Sequence, residues 1–472
     1  MASVVASCLA LNRTTAQGNH STYLRSRSER DRNGGNTRGC DRARPNSFDD
    51  GSFIERLRAI VAVPTDSHPP LRKQELERYC HDVCGPMIAE LGFATQVLDN
   101  PDPIHGPMLI GTRIEDASFP TVLIYGHGDV VRAMPERWRP DLDPWTLTIE
   151  GDRIYGRGVV DNKGQHLLAF EALRAVQAER GRLGFNANIV VETGEEAGSP
   201  GLLPFLRQHR DLCAADVFIA LDGPRQSMSV PDITLGTRGA IAIDLVVDLR
   251  EGSQHSGHWG GLLADPGVTL AHAITSIVSQ DGRILVPGWT PAIIPNSVRQ
   301  ASHDVIIGTP VPDPGWGEPR LSRSGRIYMW SSVIVLANIS GQPEGPVNAA
   351  AVNARARVQI RHTVDVKAET IVPTLRAHLD AQGLGVVKIV QVTERDAFPA
   401  SHTDPDDPWA RFVARSMQQT TGRPPNIIPN IGASGPSEYS SRCSAFLSCG
   451  YCSPMVAAAS TDPTSTDWVA VP

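Results

Sequence analysis

A three-layer α/β fold with a mostly parallel sheet, joined by an α+β two-layer unit inserted into it, is what this 472-residue sequence predicts. Three observations carry that expectation. Short β-branched and apolar runs alternate with helical patterns between Ser52 and Asp222. Acids and a histidine follow the carboxyl ends of those runs, where open α/β sheets keep their ligands. At Thr234 the pattern changes, and a longer alternating strand opens a second set of elements.

Taken in order, residues 1–48 are rich in Arg, Ser, Asn and Gly and are expected to be a disordered leader. A first helix runs from Ser52 through Val61, and a second from Gln74 to Leu91, with Cys80 and Cys84 packed inside it. Strands follow at Thr95–Leu98, Met108–Arg113, Thr121–Tyr125 and Thr146–Glu150. A helix after Asp161 reaches about Glu179, with Ala169, Leu173 and Val176 on one buried face. Strands Ala187–Glu192 and Val217–Leu221 complete the first part of the larger domain, 49–233. The inserted unit, 234–395, holds strand Ala240–Leu249, a helix Pro266–Ser279 capped by Asp265, strands Ser332–Ile339 and Ala354–His362, helix Lys367–Ala381 and strand Val386–Val392. Between them, the Pro- and Gly-rich connection Arg283 to Arg326 is expected to be a long surface excursion. Residues 396–440 return to the first domain with a helix from Asp407 to Thr420, and 441–472 form an aberrant tail.

Composition narrows the function classes. The chain is 41% hydrophobic and 20% charged with a formal charge of -7, and Lys+Arg (44) falls short of Asp+Glu (51), which argues against a nucleic-acid partner. No apolar run approaches the roughly 20 residues that span a bilayer, so no membrane is expected. The eight cysteines are sparse and suit a reducing cytoplasm.

The chemistry sits in Tyr125-Gly126-His127-Gly128-Asp129 and in Gly156-Arg157-Gly158-Val159-Val160-Asp161-Asn162-Lys163-Gly164. An imidazole with a carboxylate two residues on suits a metal ligand and the acid that fixes its tautomer. His127, Asp161, Glu195, Glu196 and Asp222 all follow strands and would gather on one rim. Such donors suit Zn²⁺, or Mn²⁺ and Co²⁺ as substitutes. Of the paired Glu195 and Glu196, one can bind a cation while the other takes a proton from an activated water.

These motifs resemble the signature of the co-catalytic di-zinc metallopeptidases that include carboxypeptidase G, aminoacylase and the carnosine-type dipeptidases, over about residues 52 to 440. The resemblance implies that His127 and Asp222 hold one zinc, Asp161 bridges, Glu196 holds the other, Glu195 is the general base and Asp129 orients His127. It implies hydrolysis of an amide in a dipeptide or N-acyl amino acid. The inserted unit resembles the family's lid or dimerisation domain, which implies a homodimer. There Gln254-His255-Ser256-Gly257 matches the histidine that reaches the partner subunit's site and steadies the oxyanion, help worth about 3 to 4 kcal/mol. Arg361 is a candidate for gripping a substrate carboxylate. Ser434, in Pro429-Asn430-Ile431-Gly432-Ala433-Ser434-Gly435-Pro436, resembles the family's loop beside the substrate. A catalytically inactive dimeric scaffold is the alternative, against which the retained Glu195 argues.

After Pro436 the resemblance stops, for the family's closing His-x-x-Asn/Asp-Glu motif is missing and no His follows. Read one base out of phase, from the third base of each codon, Pro454 to Thr466 can spell His-Gly-Gly-Cys-Ser-Gln-His-(Gly/Arg)-Pro-(Asn/Asp)-Glu-His. The missing ligand would span codons 460 and 461. A frameshift near Ser440 to Arg442 is therefore expected, leaving the second metal site incomplete and activity impaired. Sequencing the DNA of codons 436 to 472 should reveal His-x-Pro-Asn/Asp-Glu in an alternate frame; its absence from every frame would refute the frameshift.

Overall fold

The computed structural model describes residues 50–69, 71–151, 153–223, 230–303, 305, 313–391, 397–432, 446–448 and 468–470. The leader, Ser434 and most of the tail lie outside them. The chain divides into two compact units, the first Met1–Leu235, Thr403–Ile427 and Glu438–Pro472, the second Gly236–His402 and Ile428–Ser437.

Strands of the first unit are β1 (Ala94–Leu98), β2 (Met108–Arg113), β3 (Thr121–His127), β4 (Thr148–Glu150), β5 (Arg153–Tyr155), β6 (Asn186–Glu192), β7 (Val217–Ala220) and β8 (Asp232–Thr234). β3 is the centre. It pairs in parallel with β6 on one side and β7 on the other, so Tyr125 stands opposite both Val190 and Ala220. Parallel strands of this kind are covered on both faces and read as continuous apolar runs. Val122 and Ile124 join the core that includes the helix Lys163–Arg180, while Leu123 and Tyr125 join the opposite core with Phe205 and Phe218. Three layers follow directly, and the α/β class is the one expected.

The helix expected at Gln74–Leu91 is Lys73–Arg78, a π-helical turn Tyr79–Cys84, then Gly85–Ala89. That turn keeps Tyr79, Cys80 and Cys84 all buried. Gly128 lies against it so closely that a Cβ there would stand 2.3 Å from the Tyr79 ring. Gly164 is tighter still, at 1.8 Å from the Val159 carbonyl oxygen. At both places only glycine lets the backbone pass.

The second unit contains β9 (Gly239–Asp248), β10 (Gln254–His255), β11 (Ser332–Ser340), β12 (Ala349–Ala350), β13 (Asn353–His362), β14 (Lys388–Gln391) and β15 (Ala397–Phe398). Its main sheet runs β11-β13-β9-β14, with β15 also on β9. Ile241, Ile243, Leu245 and Val247 alternate inward against the helices Pro266–Ile277 and Ala368–Ala381. Asp265 caps the first of these, its Oδ1 accepting from the backbone of Gly267 at 2.7 Å and Val268 at 3.1 Å.

Two expectations are corrected. The connection Arg283 to Arg326 is not a bare excursion: it carries helices Asn296–His303 and Arg323–Tyr328 around a small core of Ile294, Val298, Val305, Tyr328, Met329 and Ile428. The tail, expected to be aberrant, supplies two sheet strands, β17 (Phe446–Ser448), which follows β16 (Asn426–Ile428) in the chain, and β18 (Trp468–Ala470). β17 runs parallel to β7 and touches β8 antiparallel, because a strand position can be filled through backbone hydrogen bonds alone.

Candidate metal centre

Each candidate ligand is delivered by a strand end. β3 ends at His127, opposite Glu192 of β6; Glu195 and Glu196 occupy the 3-10 turn just beyond β6, and Asp222 lies two residues past β7. Asp161 stands just before the helix Lys163–Arg180. Asn162 binds these ends together. Its Oδ1 accepts from the His127 backbone at 3.1 Å, and its Nδ2 donates to the Leu221 carbonyl at 2.7 Å.

One nitrogen and two carboxylate oxygens, from His127, Asp161 and Asp222, lie within 4.8 Å of one another. His127 Nε2 is 3.1 Å from Asp161 Oδ1 and 4.0 Å from both Asp222 Oδ2 and Glu195 Oε2. Its other nitrogen, Nδ1, faces the Asp129 carbonyl oxygen at 3.1 Å and Asp129 Oδ1 at 3.3 Å. A proton on Nδ1 leaves the Nε2 lone pair aimed at the acids. Asp129 does a second job. Its Oδ1 and Oδ2 accept from the backbone N–H groups of Glu195 and Glu196 at 3.2 and 3.1 Å, so one buried carboxylate sets both the imidazole and the turn with the paired acids.

Behind that turn is a residue that motif reading passed over. Glu192 is buried; the Tyr125 hydroxyl donates to it at 2.6 Å and the Ser199 hydroxyl at 3.0 Å, closing the far end of the turn. Beneath the site, the Tyr79 hydroxyl is 2.6 Å from His166 Nε2, and Lys163 Nζ donates to the Val63 carbonyl at 2.7 Å. Only the position of Asn162, Lys163 and His166 in or beside the Asp161 motif signalled them in advance.

The electrostatics record acids packed together. Burial, with repulsion from Asp222, Glu196 and Asp161, holds the Glu195 carboxyl well above the usual range. Burial and the Asp161 charge push Glu196 to about 8 and Asp222 to about 6. Burial also pushes Glu192 to about 8. For His127, burial favours the neutral ring, but Asp129 and Asp161 outweigh it and raise the pKa. Asp129 stays low because the His127 contact overcomes its burial. Excess negative charge around an imidazole nitrogen is what a divalent cation relieves, so the donors fit one. For a second cation, Asp161 and Glu196 are at hand, but residues 437–472 contain no His.

His255 and Arg361 belong to the second unit. His255 is exposed, stacks on His258 with centroids 4.8 Å apart, and caps the short helix Ser256–Trp259. Arg361, near the end of β13, donates from Nε to Gln359 at 3.3 Å. Among the described residues no helix is long and apolar enough to cross a membrane.

Comparison with known proteins gives a consistent answer. The family model described as peptidase family M20/M25/M40 matches residues 123–467. The chain is 32% identical over 248 residues to rat Beta-Ala-His dipeptidase, covering 50% of this chain and 50% of that protein, so it spans about half the length of that relative. It is 27% identical to Cysteinylglycine-S-conjugate dipeptidase of Corynebacterium striatum, over 74% of this chain and 76% of the relative. In fold it is similar to an M20 family metallo-carboxypeptidase from Sulfolobus solfataricus, with a TM-score of 0.69, 22% identity and coverage of 84% and 90%.

The raised acids set the direction of a pH effect. Without a cation, Glu196 holds a proton at neutrality and Asp222 holds one below about pH 6, and a cation must expel such protons to bind. Apparent Mn²⁺ or Zn²⁺ affinity should therefore climb between about pH 6 and 8 and then level off. Calorimetry in two buffers of different ionisation enthalpy should register proton release; an affinity flat across that range would contradict the site's electrostatics.

Proposed function

The chain belongs to peptidase family M20/M25/M40, and on that footing we propose that it is a metal-dependent hydrolase cleaving the amide of a dipeptide or N-acyl amino acid. The observation that supports this most is the convergence of His127, Asp161 and Asp222 with the Glu195 carboxylate 4.0 Å from His127 Nε2. In this reading His127, Asp161 and Asp222 hold a Zn²⁺, with Mn²⁺ or Co²⁺ as substitutes, and Glu196 with Asp161 offers a second position. The cation, when bound, polarises the scissile carbonyl and acidifies a water molecule.

Glu195 is assigned as the general base. Buried among like charges, it holds a proton more tightly than a solvated carboxylate, which suits a group that must take up a proton and return it to the leaving amine. Asp129 keeps His127 and the Glu195 turn in register. Arg361 and Ser434 are assigned to the substrate's carboxylate, and His255, from a second copy of the chain, to the oxyanion. With no C-terminal His, we expect a weakly held second cation and slow turnover. A cytoplasmic setting belongs to the same proposal, supported by the buried Cys80 and Cys84, which form no disulfide.

The homodimer is proposed through β11. It is the edge strand of its sheet, and Ile334, Leu336 and Ile339 are each more than half exposed along it (51%, 52% and 56%). Apolar edges of this kind invite strand pairing with another chain.

Two measurements test the reading. Glu195→Gln should cut kcat on β-Ala-His or Cys-Gly by about 100- to 10,000-fold while leaving cation binding intact. If the unaltered chain cleaves neither these nor N-acyl amino acids with Zn²⁺ or Mn²⁺ present, the scaffold reading replaces it. Leu336→Lys should convert the dimer to monomer in sedimentation experiments, and a monomeric unaltered chain would remove the dimer from the proposal.

A further inference from the structure

The chain leaves the turn that presents Glu195 and Glu196 through backbone that suits glycine. Gly198 and Gly201 have φ of 89° and 82°, and between them Ser199 has φ of 51°. A Cβ is sterically disfavoured in that left-handed region, and Pro200, which follows, by itself pushes its predecessor toward extended backbone. Serine stands there against both preferences. Among the described residues, Met134 is the one other side chain held at positive φ.

What Ser199 gains is a contact that glycine lacks. Its hydroxyl donates to Glu192 Oε1 at 3.0 Å, and the Tyr125 hydroxyl donates to the same oxygen at 2.6 Å. Both partners are wholly buried: Tyr125 lies within β3, two residues before His127, and Glu192 ends β6 in register with His127. The Ser199 backbone N–H donates to the Gly194 carbonyl at 2.9 Å, which closes the stretch from Gly194 to Ser199 on itself. The turn is therefore pinned twice. Asp129 takes the N–H groups of Glu195 and Glu196 at its start, and Ser199 ties its end to the two strands that carry the site.

We propose that Ser199 is a positioning residue: its hydroxyl, through Glu192, fixes the far end of the turn and so keeps the Glu195 carboxylate in place beside His127 Nε2. This rests on the assignment of Glu195 as general base. Misplacing a reacting group by about 1 Å can cost about 100-fold in rate, and the loss falls on the chemical step rather than on substrate binding. A serine kept only for the shape of the turn gives the opposite expectation, because glycine fits this backbone better than serine does.

Two variants separate the oxygen from the backbone. Ser199→Ala keeps the Cβ and its left-handed conformation and removes only the hydroxyl, whereas Ser199→Gly relieves the conformation as well. With Mn²⁺ and Cys-Gly, each should lower kcat by about tenfold or more while KM stays within about twofold and Mn²⁺ affinity is unchanged. Undiminished kcat in Ser199→Ala overturns the proposal and leaves the Glu195 assignment standing. So does a fall in kcat matched by an equal loss of Mn²⁺ affinity, which would mark a general collapse of the site. If Ser199→Ala does not fold, Ser199→Gly decides by the same two criteria. Full turnover in Glu195→Gln, or none in the unaltered chain, removes the general-base assignment and this proposal with it.

Discussion

Asp129 has none of its surface exposed, yet its pKa stays below the ordinary carboxylate value. A buried charge survives only where hydrogen bonds and opposite charge replace lost water. His127 on one side and the N–H groups of Glu195 and Glu196 on the other provide them. The three are thus mutually dependent: removing the carboxylate would free the imidazole to change tautomer and release the turn that presents the paired acids. The close passage of Gly128 over Tyr79 places Asp129 at this depth.

Around that carboxylate the parallel sheet explains why so many acids meet in so small a space. Successive parallel strands end on the same edge, and β3, β6 and β7 are neighbours there. Packing acids together is destabilising without a counter-ion, as the raised pKa values of Glu195, Glu196 and Asp222 record. Folding thus stores repulsion in a place where a cation would relieve it.

How much of this could be read beforehand follows physical lines. His127, Asp161 and Asp222 were legible because each follows a strand or sits in a glycine-crowded motif, both local signals. Glu192 and Tyr79 were not. Their partners, Tyr125 and His166, lie 67 and 87 residues away along the chain, and nothing in either neighbourhood marks the pairing. Strands of three residues such as β5 are too short to show a period. In the connection after Arg283, proline and glycine hid two short helices whose apolar side chains form a core only when brought together with Ile428.

The chain's path between its two units has a temporal consequence. The second unit opens at Gly236 but includes Ile428–Ser437, while the first takes in Thr403–Ile427 and β17. During synthesis at roughly 5–20 residues per second, neither unit has all these pieces until Ile428–Ser437 and β17 have been made. For on the order of tens of seconds β7 and β8 would lack the strand that lies between them, and the Arg238 guanidinium would lack the Gly432 carbonyl. A nascent protein of this layout is exposed to premature association over that interval, and co-translational binding of a chaperone is the form of protection its topology calls for.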